Sequence, residues 1–549
     1  MSEVNVIWEG FGAPGKGYWC YGWLQEVLTT PPTGPWGPHT FYHGEHISDV
    51  PEDEGAIVVL ATHPEDPIDY IDQLNDDLAK LPWVVLILAS DEQGRFPVDQ
   101  LREHPNMALW VMAPHFEKHT YPVGTQFMGE MYPPQAREHI LNTGFLEDRR
   151  YRWSFSGQVT HQRRRELVEA LEGQPYGRMV KTAGFTQGLA HKEYYELLND
   201  SISVAAPSGP VTPDSFRAFE ALEAGAVPIL DGRCPTEQDC VLYWKAVLGE
   251  NHPLPVVHHW SEAIPIIENN SDVFPHENIR VYSWWQMYRR ELRYRLLSGV
   301  PGFDFGKYTV LMPTSVIPSH PSLDKIEAVH ASVRFHHPDA DIIIMCDGVR
   351  DEQLHRTDDY EKYLYELIDA CNFKAGWENT YPLVFESHQH QANMTRWALD
   401  YVHTPLILFA EHDIQMVTDM PIDWPAITAL VESGDVDVVK FSFEAMGIHP
   451  EHEHMALDPE IVILHGCPVR RSVQWSQRVH AAKADYYRKI IDDWFPSTAR
   501  TMIEDLLHSV AQQYPEQFIL AMYMPDGSKV RCFHIDGREE DIKYEMKYE

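Results

Sequence analysis

Three groups of side chains carry chemistry by type and spacing. The first is Glu411-His412-Asp413, directly after Pro405-Leu406-Ile407-Leu408-Phe409-Ala410. An apolar run opened by a proline predicts a short strand, buried on both faces, in the middle of a parallel sheet. Ligands of open α/β sheets bind at the carboxyl edge, where these acids stand. Two carboxylates spaced i, i+2 on an extended chain face the same way and can hold a hard divalent cation, which in turn carries a diphosphate. A solvated turn after a core strand explains the same three residues equally well. The second group is Asp214-Ser215-Phe216-Arg217 with Glu220. Asp214 or Ser215 caps a helix, whose N–H groups and positive dipole end suit a diphosphate. Arg217 adds a charge-assisted bond to phosphate, and Glu220, one turn on, faces ribose hydroxyls. The third is Glu504-Asp505, opening an amphipathic helix. The dipole there favours a deprotonated base, although acids are common in first turns for that same reason.

The elements that position these groups alternate strand and helix, as in doubly wound α/β folds. Strands are predicted at Asn5–Trp8, Ala56–Ala61, Trp83–Ala89 and Leu109–Met112, with a helix over 70–81. Gly10 to Gly17 forms a tight glycine-rich turn that does not match the phosphate loop G-x-x-x-x-G-K-[ST]. The pattern breaks at Tyr132-Pro133-Pro134. A second unit opens on the strand Arg150–Gly157 and the helix His161–Leu171, and continues through the strand Ser201–Ala206, the helix Ala218–Ala224 and Gly225 as helix terminator. A long aromatic helix, Val281–Leu297, ends at Ser298-Gly299-Val300-Pro301-Gly302, where the major boundary falls. Beyond it come the strands Tyr308–Met312, Asp341–Cys346, Val438–Phe443 and Val530–His534. The histidines at 449, 452 and 454 match no metal spacing and read as a loop over the site. The charged tail 537–549 reads as fraying.

Composition bounds the function. The 549 residues carry a formal charge of -38, from 82 acidic and 44 basic residues. That disfavours extended contact with nucleic acid or anionic membrane. A local groove of Arg149, Arg150, Arg152, Arg163, Arg164 and Arg165 keeps nucleic acid open as a partner. Seven scattered cysteines without a C-x-x-C pair fit a reducing cytoplasm. No apolar run approaches 18 residues and the N-terminus has no basic segment, so a soluble intracellular protein is expected. A dinucleotide-binding oxidoreductase lacks its G-x-G-x-x-G fingerprint.

The run Phe155-Ser156-Gly157, then Arg163, then Ser215-Phe216-Arg217-Ala218-Phe219-Glu220-Ala221-Leu222-Glu223-Ala224-Gly225-Ala226-Val227-Pro228 resembles exostosin-type GT-B glycosyltransferases, whose donor half carries Ser-x-Arg-x-x-Glu-Ala-Leu-x-x-Gly-x-x-Pro. The resemblance covers about residues 150 to 235. It implies donor binding by Gly157, Arg163, Ser215, Phe216, Arg217 and Glu220, without a metal. Glu411-His412-Asp413 resembles the acidic metal motif of GT-A glycosyltransferases, usually Asp-x-Asp. That resemblance implies Mn²⁺ or Mg²⁺ on Glu411, Asp413 and His534, a donor nucleoside at Pro313, Thr314 and Asp347, and Asp505 with Glu504 as the base of an inverting reaction. The expected fold is therefore a GT-B-type pair of Rossmann-like domains, 1–145 (acceptor side) and 146–304 (donor side), followed by a GT-A-like α/β domain with mixed sheet, 305–549. The implied enzyme moves sugars from nucleotide-sugar donors to a hydroxyl acceptor, a glycan or another hydroxylated molecule. Two alternatives stay open: a phage-type enzyme glycosylating hydroxymethylated DNA bases, and one catalytic module beside an inactive binding or scaffold module.

Overall fold

The structure is a computed structural model, described over residues 3–10, 23–24, 40–51, 53–61, 71–89, 91–129, 148–184, 187–236, 238–269, 277–442, 460–525 and 530–535. The chain divides into two compact units, the first ending at Asp304 and the second opening at Phe305. The glycine-rich turn beyond Gly10, the break at Tyr132, the histidine-rich segment and the tail lie outside the described residues.

The first unit holds two parallel sheets. Strands β1 (Glu3–Glu9), β2 (Thr40–Gly44), β3 (Ala56–Ala61), β4 (Val84–Ala89), β5 (Met107–Met112) and β6 (Gln126–Met128) lie in the order β2-β1-β3-β4-β5-β6. Strands β7 (Tyr151–Gln158), β8 (Gly177–Thr182), β9 (Ser201–Ala206), β10 (Val227–Asp231) and β11 (Val256–Val257) lie in the order β11-β10-β9-β7-β8. Numbered within its own sheet, the first follows the doubly wound order 2-1-3-4-5-6 and the second 2-1-3-4-5, and each order places a topological switch between the first and third strands. For the second sheet that switch lies between β7 and β9, paired in parallel through Trp153↔Ser203 and Ser154↔Val204. The continuous apolar runs of β3 and β4 are buried along their length, as strands covered on both faces must be.

The helix Phe216–Glu223 starts two residues before its expected bound and ends as the glycine demands. Gly225 takes φ +66°, the Ala226 N–H reaches Ala221 O at 2.9 Å and the Gly225 N–H reaches Leu222 O at 3.1 Å. These are the paired bonds of a Schellman stop. The aromatic helix runs over Glu277–Leu297, a turn longer than expected. Its Trp285 is fully buried, stacks on Trp23 and donates to Glu223 Oε1 at 2.9 Å.

The second unit is one mixed sheet with a two-stranded ribbon. Its strands are β12 (Tyr308–Thr314), β13 (Asp341–Cys346), β14 (Thr380–Val384), β15 (Leu406–Phe409), β16 (Ile414–Met416), β17 (Val438–Phe441), β18 (Val462–Leu464), β19 (Cys467–Ser472), β20 (His480–Lys483), β21 (Leu520–Tyr523) and β22 (Cys532–His534). The main order is β14-β13-β12-β15-β20-β17-β21-β19-β18, and β16 pairs with β22. Strand β15 is buried throughout, as expected, but not inside a parallel sheet. It is parallel to β12 and antiparallel to β20, so it marks the seam between the sheet's two halves. An apolar run reports burial on both faces and says nothing about neighbour direction. Among the described residues no helix is long and apolar enough to cross a membrane.

Candidate functional site

In the first unit the switch between β7 and β9 gathers several groups with unmet hydrogen-bonding capacity. Arg217, in the first turn of its helix, donates from Nε (3.1 Å) and Nη2 (2.7 Å) to Ser156 O and lies 4.9 Å above the Phe155 ring. A Cβ on Gly157 would fall on Arg217 Nη2, so the glycine leaves room for the guanidinium. Arg164 comes from the helix Gln162–Leu171 and donates to Gln158 O at 3.2 Å, two residues along the same strand end. Burial and the Arg217 charge together push the Arg164 guanidinium down to about 10. Arg217 Nη1, Arg164 Nε, Ser208 Oγ and Ser215 Oγ are buried and have no hydrogen-bond partner among the described residues. Ser215 is the N-cap residue in extended conformation, but its side chain makes no cap bond, and Asp214 instead accepts from Tyr243 OH at 2.6 Å. His161 stands just before the Arg164 helix, with its imidazole held down to about 4 by burial first and then by Arg164. Two guanidinium groups side by side with unmade donors form a seat for an anion.

Other expected donor residues do different work. Arg163 is buried against Asp231, with Nε at 3.1 and 3.2 Å and Nη2 at 2.5 Å from its carboxylate, and it also bonds Glu166 and His258 O. Its donors are committed within the protein, and Arg164 takes the place at the switch. Glu220 does not face open space: it is buried and accepts from Tyr194 OH at 2.6 Å. Burial pushes its carboxyl up, against the pull of Tyr194 and Arg217. Phe216 opens the helix.

The expected arginine groove is split. Arg149 to Arg152 stand at the start of the eight-residue strand β7, roughly 26 Å long, and Arg163 to Arg165 follow its end. Arg149 is spent on the carbonyls of Ser201 and Ala224, both at 3.0 Å.

In the second unit the helix His390–Leu399 is the hub. The Asp347 carboxylate, after β13, accepts from the N–H groups of Gly348 (2.9 Å), Gln389 (2.6 Å) and His390 (3.1 Å), and lies 2.8 Å from His388 Nδ1. The nucleoside contact expected of Asp347 thus meets a carboxylate already occupied with pinning this turn. Gly348 is dictated by packing, since a Cβ would fall on the main chain of Ser387 and His388. His390 is held at φ +61°, a left-handed conformation costing a non-glycine residue roughly 1–3 kcal/mol, as is common at functional sites. Burial, then Arg350 and His388, hold its imidazole down, while Asp347 and Asp505 act to raise it. Asp505 is therefore within electrostatic reach of His390.

Gln391 joins the two acidic groups. Its Nε2 donates to Glu411 Oε1 at 2.6 Å and its Oε1 accepts the Ile503 N–H at 3.1 Å, at the start of the helix Ile503–Gln513. Glu504 in that first turn accepts from the Gln477 N–H at 3.2 Å. Asp413 is 5% exposed, so the turn does bury it. Its carbonyl accepts the Ile535 N–H at 3.0 Å, and β16 pairs with β22 through Ile414↔His534. The expected metal trio is not gathered as a cage: Glu411 is turned to Gln391, and among the described residues no group of three or more His, Cys, Asp or Glu is arranged to hold a metal ion. Pro313 O accepts from His412, and Thr314 is buried 3.3 Å from Tyr363 OH.

Sequence reasoning placed Arg164 only in the basic cluster and not at the donor site, and missed His161 and Ser208 in the first unit and Gln391, His388 and His390 in the second. Arg164 had a signal, its neighbour Arg163, but adjacent helix residues point about 100° apart and only packing decides which one faces the switch.

Comparison with known proteins bears mainly on the first unit. Residues 132–301 match the family model of the RXYLT1 C-terminal domain, which is less than half of the chain. No curated protein sequence matches. Among solved structures, S. aureus TarS 1-349 is 15% identical and aligns at a TM-score of 0.26, covering 42% of this chain and 60% of that one. The same fragment in complex with UDP-GlcNAc gives 15% and 0.26, covering 41% and 58%. A197 from STIV gives 12% and 0.23, covering 42% and 85%. The chain thus spans less than two thirds of the TarS fragment, and TM-scores this low carry no argument. The family match makes residues 132–301 similar to the RXYLT1 C-terminal domain.

Proposed function

We propose that the protein transfers a sugar from a nucleotide-sugar donor to a hydroxyl acceptor, with the donor diphosphate seated at the switch between β7 and β9. One observation carries this reading: Arg164 and Arg217 stand side by side there, half-buried, with Arg217 Nη1 and Arg164 Nε lacking partners. As the sugar–phosphate bond breaks, negative charge grows on the leaving nucleoside diphosphate. Guanidinium donors fixed in advance stabilise that charge without reorganising. Ser208, Ser215 and the N-terminus of the Phe216–Glu223 helix line the same edge. Two parallel sheets, each opening 2-1-3, support a GT-B-type reading of the first unit.

The second unit we read as GT-A-like, supported by the order β14-β13-β12-β15-β20-β17-β21 and by acids gathered after β15 and at the Ile503 helix. Asp413, with His534 across the ribbon, would hold Mn²⁺ or Mg²⁺ only together with donor phosphates, since such ions need few protein ligands when phosphates complete the shell. The cation would supply charge neutralisation at the leaving group. Asp505 is the base in this reading, accepting the acceptor's hydroxyl proton. A second reading, in which this unit only binds or scaffolds, is favoured by the bond that occupies Glu411.

The test is a panel of nucleotide sugars assayed for hydrolysis and transfer on the full chain, with and without Mn²⁺. Arg217→Ala should weaken the metal-independent activity, and Asp413→Ala should abolish only the Mn²⁺-dependent part. No turnover of any donor would end the transferase reading. Turnover without Mn²⁺ dependence would leave the second unit as a binding half. A steep salt dependence of DNA binding would instead favour a nucleic-acid acceptor.

A further inference from the structure

Beside the anion seat lies a feature that donor binding does not use. After Asp231 the chain turns through Gly232-Arg233-Cys234-Pro235-Thr236 before the helix Cys240–Leu248. An open cleft of about 400 Å³ is lined there by Arg163, Glu166, Arg233, Cys234, Thr236 and Cys240, among others. Both cysteines are free thiols, Cys234 half-buried and Cys240 buried. The Cys234 Sγ lies 2.9 Å from Thr236 Oγ1 and 3.2 Å from Thr236 O. Both sulfurs also reach one carbonyl oxygen, Gln238 O, at 3.9 Å from Cys234 and 3.5 Å from Cys240. Two thiols six positions apart therefore meet on the wall of one open cleft.

We infer that Cys234 and Cys240 form an oxidisable dithiol, in which Cys234 is the attacking thiolate and Cys240 the resolving thiol, with a hydroperoxide as the oxidant. The surroundings divide the roles. The bond from Cys240, ahead of those from Thr236 and Gln238, holds the Cys234 thiol down to about 6 against the effect of burial. That bond, burial, and the charges of Cys234, Asp231 and Asp239 push Cys240 up. Arg163, Arg233 and Glu166 complete the charged lining of the cleft. A thiolate that opens onto a solvent-filled cleft and is low in pKa is the form that attacks peroxide.

The step balances. The Cys234 thiolate attacks the distal peroxide oxygen, the O–O bond breaks, and hydroxide leaves to give a sulfenic acid. The Cys240 sulfur then displaces the sulfenic hydroxyl, its proton leaving with that hydroxyl as water. Two thiols lose two electrons and two protons, and hydrogen peroxide becomes two waters.

The full-length protein is exposed to hydrogen peroxide, blocked with N-ethylmaleimide and mapped by peptide mass spectrometry. A Cys234–Cys240 disulfide should form before any oxidation of Cys371, whose thiol burial pushes up. In the unoxidised protein, iodoacetamide should label Cys234 with a midpoint near pH 6, against about 8.5 for an ordinary cysteine. In Cys240→Ala the disulfide should vanish and a dimedone-reactive Cys234 sulfenic acid should persist. An ordinary labelling midpoint at Cys234, or oxidation of the wild type that never joins it to Cys240, overturns the proposal. Both of those readouts are on the wild type, so they decide the matter even if the variant does not fold.

Discussion

The two acid–base landscapes of this protein are opposites built at the same kind of place. Both occupy the carboxyl edge of parallel strands, where ligands of open sheets bind. In the first unit the edge after β7 carries cations with donors left over, Arg164 and Arg217, and no carboxylate bonds to either in the described structure. In the second unit the edge after β13 and β15 carries carboxylates whose oxygens are in use: Asp347 on three main-chain N–H groups, Glu411 on Gln391. Unmet capacity tells what a site lacks. The first edge lacks an anion. The second must import a cation before it can hold one, because a diphosphate next to bare carboxylates is repelled. In a chain of net charge -38, a half-buried arginine pair that no carboxylate bonds directly, with Glu220 acting on Arg217 only through space, is the costlier arrangement to maintain, which is a reason to read it as functional.

The contrast can be broken experimentally, most severely at its glycines. Gly348→Ala places a methyl on main-chain atoms of Ser387 and His388, which cannot move without releasing Asp347. We expect a loss of about 3 kcal/mol, the upper end of overpacking costs, read as faster hydrogen exchange across residues 385–399. Arg217→Ala comes next. Donor affinity should fall by about 1.5–3 kcal/mol, the range for a charged hydrogen bond, measured by calorimetric titration with a nucleoside diphosphate in EDTA. Adding Arg164→Ala should cost less than the sum of the singles, since neighbours on one ligand are coupled. Unchanged affinity in both variants would remove the anion seat.

Lys440 sharpens the picture of the second unit. It is buried, bonded to Ser472 Oγ at 3.1 Å and to Gln474 O, and burial pushes its amine down to about 7. Above that pH the folded lysine is neutral, whereas the unfolded one keeps its proton to about 10.4. The unfolded state then binds more protons, so stability rises with pH across this window, by about 1.4 kcal/mol per unit at most. Denaturant melts at pH 7.5 and 9.5 should show that rise in the wild type and not in Lys440→Met. The smallest effect is expected at Gly157→Ala. There the added methyl clashes with the tip of the Arg217 side chain, which can swing aside, and makes ordinary contact with the Phe155 ring. Stability should change by under about 1 kcal/mol, while diphosphate binding weakens measurably.

Much of this was legible locally. The runs Ala56–Ala61, Ser201–Ala206 and Asp341–Cys346 form strands with those bounds, because short, mostly apolar runs bracketed by turn residues have few other outcomes. Gly225 ended its helix at positive φ because its neighbours could not. The site was less legible. Ser215, Arg217 and Gly157 come together at the switch, but Arg163 yields its place to Arg164, and Glu220 and Asp347 turn inward to partners as far as 26 and 43 residues away. Gln391 was invisible, since a glutamine between a histidine and an alanine has no motif; its role exists only because Glu411 and Ile503 converge on it.

Taken alone, then, the sequence determined what depends on neighbours along the chain: the alternation of strand and helix, the buried runs, the helix stop at Gly225, and a set of residue types able to bind a diphosphate. The tertiary structure decided what depends on residues far apart in sequence. It chose between adjacent arginines about 100° apart on one helix, set β15 at a parallel–antiparallel seam, separated the basic cluster by the length of β7, and assigned carboxylates to structural bonds. Periodicity encodes which face is buried, whereas the partner met on that face is set only when distant elements pack.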